Sequence, residues 1–356
     1  MKETLEHPRV DLIRKVLSGS WRPDPLPCLN LSELELDEVT PLLYGSGAGA
    51  LGWWRLRETE LQTTSSAAVL HQAYRLQVLQ SGIHEEKIKK VFLKLRQASI
   101  EPILVKGWAA AGLYPERGLR PYGDIDLIVK PEHYEAAADL VSRPEAKDCW
   151  VDLHRSFSEL DGRPLDQLFE RSQLLPLGQE TVRVLSLEDH LALLAVHLLK
   201  HGAWRPLWLC DIGAAVESLP PTFDWDMCLG SVKRRAGWIK GAIGLASYFL
   251  GAKTDHLPRS MKCSALPRWL IDAVRKEWRN PFAMNQPPMR HPLPIARQLK
   301  HPAGLFKAVR ERWPNPIIAT VSVNGQFNRL PRLPYQLGNW ALRAARFLLG
   351  SAASQH

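Results

Sequence analysis

The chain has 356 residues, 45% hydrophobic and 23% charged, which excludes a disordered or fibrous protein and allows two or three modules around a substantial core. Its five scattered cysteines (Cys28, Cys149, Cys210, Cys228, Cys263) exclude a disulfide-dense scaffold, and with a charged N-terminus, MKETLEHPRVDL, that has no apolar secretory core they point to the cytoplasm. The net charge of +9 is divided unevenly: residues 1–230 carry 25 Lys and Arg against 33 Asp and Glu, net −8, and residues 231–356 carry 21 against 4, net +17. The basic part suits an anionic partner, a membrane surface, the acidic front of the same chain, or simply solvent.

Residues 1–100 read as a helical N-terminal cap. A helix is expected from Val10 to Leu17, ended by the prolines of WRPDPLPCLN. Leu31 to Gly52 reads as short helices punctuated by Gly45, Gly47, Gly49 and Gly52, glycines that lack the strand and GK[ST] ending of a phosphate loop. Two longer helices follow, Thr64 to Gly82 and Glu85 to Ala98, the second with Ile88, Val91, Phe92 and Leu95 at helical spacing.

At Glu101 the period changes. Pro102 to Val105 is a short buried-strand run closed by Lys106-Gly107, after which WAAAGLY reads as a helix stopped by Pro115. A strand turning at a glycine into a helix is a generic anion site. Arg120-Pro121-Tyr122-Gly123 then turns into the strand DIDLIVK. On a strand, Asp124 and Asp126 share one face while Ile125, Leu127 and Val129 serve the core. Two neighbouring carboxylates repel, and a divalent cation between them is the usual remedy. A helix from His133 to Ser142 leads to Trp150 to His154, an alternating strand with Val151 and Leu153 on one face and Asp152 and His154 on the other. If the two strands are neighbours, Asp124, Asp126 and Asp152 can converge on two Mg²⁺ ions, or Mn²⁺, which recruit substrate phosphates for their remaining positions.

A strand-Gly-helix, a D-x-D strand and a later single Asp form a layout that resembles the polymerase-β-type nucleotidyltransferase superfamily. More narrowly, LVKGWAAAGLYPERGLRPYGDIDLIV, VDLHRSF and EDHLALLAVHLLKHGAWRPLWLCDI are similar, over roughly residues 40 to 220, to an uncharacterised bacterial nucleotidyltransferase family often found near peptide natural-product and surface-polysaccharide genes. The expected fold is α+β: a small mixed sheet at 101–186 as nucleotidyltransferase core and a helical domain at 187–255 packed on it, with charge and proline content marking a basic, proline-rich region at 256–356. The resemblance implies transfer of a nucleoside monophosphate from an NTP to an acceptor, with pyrophosphate released. Asp124 and Asp126 would bridge the metals; Asp152 would hold the catalytic metal and help to deprotonate an acceptor hydroxyl. Lys106 and Arg120 are candidates for the phosphates, or plain surface cations, and Gly107 and Gly123 lie in the turns beside them. One departure stands out. The superfamily usually has Gly-Ser after the first strand, and this chain has Gly107-Trp108, so the phosphates lose a hydroxyl.

Ser186 followed by Asp189 starts the next helix, on which His190, His197 and His201 keep within about 20° of one stripe. Such histidines bind metal, pack in a core, or touch a ligand; the resemblance places the helix beside the active site and makes His197 and His201 candidates for nucleotide contact. Trp208 either stacks on a base or fills the core. Helices are expected at Trp238 to Leu250 and Leu266 to Glu277; prolines are frequent from Asn280 to Pro334. Tyr335 to Gly350 is a basic amphipathic helix with Trp340, Leu342, Phe347 and Leu348 as apolar anchors, suited to a membrane surface or to docking on the catalytic domain or a partner. Two other classes stay open: a non-catalytic nucleotide-binding or scaffold protein, and a D-x-D glycosyltransferase, which needs an α/β nucleotide domain ahead of its motif. The acceptor, whether small molecule, peptide, sugar, RNA or protein, has no signature.

Overall fold

Helices α1 (Pro8–Leu17), α2 (Glu33–Gly45), α3 (Gly49–Leu56) and α4 (Ser65–Gln97) precede any strand in the computed structural model, which describes residues 8–24, 30–160, 162–261, 265–279 and 313–353. Their starts are chemically marked. Ser32 and Glu35 form a reciprocal capping box on α2, and the Thr64 hydroxyl accepts from the Ala67 N–H on α4. The two helices expected on either side of Ser81–Glu85 are one 33-residue helix. Gly82 faces open space and costs about 1 kcal/mol in a helix interior, which the packing on both sides of it outweighs. The N-terminal half of α4 buries Ala67 and Leu70 with α2 and α3, and its C-terminal half buries Ile88, Val91, Phe92 and Leu95 under the sheet.

The sheet has five strands, β1 (Ile103–Val105), β2 (Ile125–Ile128), β3 (Val151–His154), β4 (Gln173–Leu177) and β5 (Glu180–Val184), in the order β3-β2-β1-β5-β4. It is mixed: β1 runs antiparallel to β2 and parallel to β5, and β2 runs parallel to β3. The β4–β5 hairpin, turning at Gly178 with φ +66, is an addition to the sequence reading. Alternation divides the sheet cleanly. Leu104, Ile125, Leu127 and Val129 join the cluster under α4, while Ile103, Val105 and Ile128 join the larger helical core on the opposite face. Asp126, between Leu127 and Ile125 in sequence, therefore points with Ile128 toward that helical side.

Short helices α5 (Gly107–Ala111), α6 (Tyr134–Ser142), α7 (Pro144–Lys147) and α8 (Leu165–Arg171) connect the strands. Then come α9 (Leu187–Lys200), α10 (Pro206–Glu217), α11 (Trp225–Leu229), α12 (Lys233–Leu250) and α13 (Arg268–Arg279), followed by α14 (Pro316–Ser322) and α15 (Leu333–Ala353). The buried faces of α1–α3 share one hydrophobic cluster with α9, α10, α12 and α13. The fold is α+β. No helix among the described residues is long and apolar enough to cross a membrane. Most of the proline-rich stretch lies at 280–312, outside the described residues, as do the side chains of Phe347 and Leu348; Leu337, Trp340 and Leu342 on α15 are exposed.

One close approach sets the loop that leads into β2. A Cβ added at Gly118 would lie 2.4 Å from the Val78 side chain and 3.0 Å from its backbone on α4. Gly118→Ala is expected to lower stability by about 1–3 kcal/mol, read from urea unfolding, because rigid backbone must move to admit it.

Candidate active site

Strand register brings the carboxylates together. Val105, Asp126 and Asp152 lie side by side across β1, β2 and β3, so the residue ending β1 is two positions of the ladder away from Asp152. Asp126 is 4% exposed. Its Oδ1 accepts from Lys106 Nζ at 3.1 Å and lies 3.3 Å from His154 Nε2, which is also 3.2 Å from Asp152. Burial opposes ionisation of Asp126, yet hydrogen bonding from His154 and the charge of Lys106 hold its pKa below the usual carboxylate range. Lys106 sits at φ 56°, ψ −132°, a backbone state that a side chain rarely adopts, which folds its ammonium back over Asp126 and 4.3 Å from the Phe157 ring centre.

Asp126, Asp152 and His154 each offer one ligand atom, and these atoms lie within 4.8 Å of one another. Asp124 stands outside this group. The β2 ladder begins at Ile125, whose N–H reaches Trp150 O at 3.0 Å, so Asp124 belongs to the exposed preceding turn and strand alternation does not aim it.

A cavity of about 390 Å³ opens beside Asp126. One wall is Lys106, Gly107, Arg120, Pro121, Tyr122, Gly123, Asp124 and Asp126; the other is His197, His201, Arg205 and Trp208 from α9 and α10. Asp152, on the exposed edge strand β3, is not in the lining. Gly107 serves a close approach, since a Cβ there would meet Tyr122 Cβ at 3.3 Å. The aromatic wall is tightly assembled: His197 lies 4.5 Å from His201 and 4.8 Å from Trp208, ring centre to ring centre. Trp208 is half-buried and faces both the cavity and the core. His190, third on the stripe, is buried away from the cavity.

The two arginines differ sharply. Arg120 is buried and gives Nε and Nη2 to the two Asp211 oxygens at 3.2 and 2.9 Å, with Nη1 on the Pro121 carbonyl; the Tyr114 hydroxyl donates to Asp211 at 2.8 Å. Its fork is committed to a structural partner. Arg205 has no carboxylate within ion-pair distance among the described residues; its Nε donates to the Ser46 carbonyl at 2.6 Å. Burial and the charge of Arg120 bring the Arg205 pKa down to about 10. Sequence reasoning passed over His154 and Arg205 as site residues. His154 had a signal, since i+2 from Asp152 is the same strand face; Arg205 stood in the quoted KHGAWRPLWLCDI stretch, but nothing local to it marked it as facing the cavity.

Two measurements test this electrostatic frame. Asp211→Ala leaves the buried Arg120 uncompensated and is expected to cost about 3–5 kcal/mol of unfolding free energy. His190 is buried, and burial together with the charge of Arg120 brings its pKa down to about 4. The unfolded chain therefore binds protons near the ordinary value of 6.5 that the folded chain refuses. Stability should fall as pH drops from 6.5 toward 4, before the carboxylates titrate, and the slope should be shallower in His190→Gln.

No curated protein and no solved structure matches the chain. A family model described as "Uncharacterised nucleotidyltransferase" matches residues 33–143 and 141–239, a span that runs from α2 into α12 and holds the whole sheet and every residue lining the cavity. More than half of the sequence falls within that match, and the chain belongs to this nucleotidyltransferase family.

Proposed function

We propose that the protein is a metal-dependent nucleotidyltransferase that moves a nucleoside monophosphate from an NTP to an acceptor group with release of pyrophosphate. The observation that carries the reading is the Asp126–Asp152–His154 group at the edge of a cavity whose other charged wall is cationic. Carboxylate oxygens suit Mg²⁺ or Mn²⁺, and one imidazole in the set favours Mn²⁺ more than an all-oxygen site does. The donor set therefore fits a divalent cation, and Asp126, Asp152 and His154 would hold it; Asp124 lines the same cavity outside that group. Such an ion neutralises charge on the reacting phosphate and acidifies an acceptor hydroxyl.

The chain's own part is positioning and charge. Lys106, now paired with Asp126, is the cation that metal binding would release toward the phosphates, and its strained backbone keeps the ammonium within reach of both. Asp152, the exposed member of that group, would help to deprotonate the acceptor hydroxyl. His197, His201 and Trp208 offer flat faces for a base or an acceptor ring. Only helices precede β1 among the described residues, which favours this reading over a D-x-D glycosyltransferase, whose motif follows an α/β nucleotide domain.

Calorimetric titration of ATP, GTP, CTP and UTP with Mg²⁺ or Mn²⁺ tests the reading. One NTP should bind only with metal, and Asp126→Asn should weaken it at least tenfold while remaining folded. Asp152→Asn should keep binding and lose turnover; a scaffold would be indifferent to it. Absence of binding by every NTP at saturating metal would end the proposal in this form.

A further inference from the structure

Three cations line the cavity, and they are not equivalent. Lys106 is paired with Asp126, and Arg120 is paired with Asp211. Arg205 alone among the described lining residues combines a fixed cationic charge with no carboxylate partner. Removing a guanidinium from water without a counter-charge is costly, and the field of Arg120 adds repulsion. Burial and the charge of Arg120 lower the Arg205 pKa, and the fields of Asp211 and Asp124 offset this only in part.

The fold nevertheless goes to some length to hold the group there. Nε is anchored on the Ser46 carbonyl at 2.6 Å and the guanidinium lies 5.6 Å from the Trp208 ring centre, while no side-chain or backbone acceptor among the described residues takes its terminal nitrogens. Nη2 lies against Gly47, whose φ of +76 suits glycine and whose position admits no side chain: a Cβ there would sit 2.2 Å from it. A half-buried, anchored arginine without an ion-pair partner on the wall of a polar cavity is an arrangement that an incoming anion stabilises.

Building on the transferase reading above, we propose that Arg205 is the receptor for the polyphosphate of the nucleotide, with Ser46 and Gly47 of the N-terminal helical region forming the back of that subsite. The arginine supplies from α10 the phosphate contact that the serine missing from Gly107-Trp108 would otherwise make after β1. Its planar fork matches two phosphate oxygens at once. The subsite also gives residues 1–100 a role in substrate binding, because the anchor that orients Arg205 comes from the turn between α2 and α3.

The test uses the full chain, with tripolyphosphate and the four NTPs titrated calorimetrically into wild type, Arg205→Gln and Arg205→Lys, each with Mg²⁺ or Mn²⁺. Arg205→Gln should weaken tripolyphosphate and NTP at least tenfold, with a reduced salt dependence. Its thermal midpoint should be unchanged or raised, since an uncompensated charge has gone; a structural arginine would lower it. Arg205→Lys keeps the charge but loses the fork, and should fall between the two; it also serves if the glutamine variant does not fold. Wild-type affinity for tripolyphosphate in either variant overturns the proposal. Should NTP bind wild type and Arg205→Gln equally, the transferase reading stands and the arginine assignment fails. Should wild type bind tripolyphosphate through Arg205 but no NTP, the anion receptor stands and the transferase reading fails. Binding of neither ligand to wild type overturns both.

Discussion

The buried pair between Arg120 and Asp211 is the contact on which the site depends. It joins the turn entering β2 to the middle of α10, and the Tyr114 hydroxyl completes the carboxylate's bonding. Two-point guanidinium–carboxylate bonding fixes orientation as well as distance. It thereby sets how Asp126, a few residues downstream, faces His197, His201 and Arg205 across the cavity. A flexible or water-exposed tether could not do this. The same burial makes the pair unforgiving, because either partner alone would be a charge without water or counter-ion.

Around Asp126 the chemistry is one of balanced competition. Lys106 and His154 both approach its Oδ1, so the carboxylate is neutralised by the protein itself and remains ionised despite burial. A divalent cation would meet a ready anion there and displace donors already near the place where phosphate oxygens would lie. The positive φ at Lys106 is the backbone cost of keeping that donor so close. This is preorganisation in the electrostatic sense: charges aimed before a substrate arrives.

The helices ahead of the sheet are part of the same construction. α4 runs without a break from the helical core to the underside of the sheet, so the loop holding Gly118 and the turn holding Ser46 and Gly47 are referred to one rigid element. The cavity wall is thus assembled from two distant stretches of chain, the segment from Lys106 to Asp126 and the C-terminal end of α9 with the start of α10, and residues 46–47 back it by packing against Arg205. Fusion of two expected helices into one is what makes that shared reference possible.

The sequence by itself determined the local chemistry: a D-x-D strand with Ile125, Leu127 and Val129 inward, a glycine turn after a short apolar run, an alternating VDLH strand, and a helix opened by Ser186 and Asp189. These were legible because strand alternation and helix caps act over two to four residues, and each leaves its mark in neighbouring side chains. The β4–β5 hairpin left a weak mark, since QLLPL and ETVRV alternate poorly and one of them carries a proline. Which carboxylates meet was a matter of register, and register is set by long-range pairing: it put Asp152 and His154 beside Asp126 and left Asp124 in the turn. The contrast between the arginines was likewise beyond the sequence. Arg120 and Arg205 both stood in the quoted stretches; Arg120 proved to be bound to Asp211, whereas Arg205 proved to line the cavity with no ion-pair partner among the described residues. Only tertiary structure could decide this, because a charge acquires its role from the counter-charges that packing brings within a few ångströms, and those lie some ninety positions away for Arg120 and further still for Arg205's anchor.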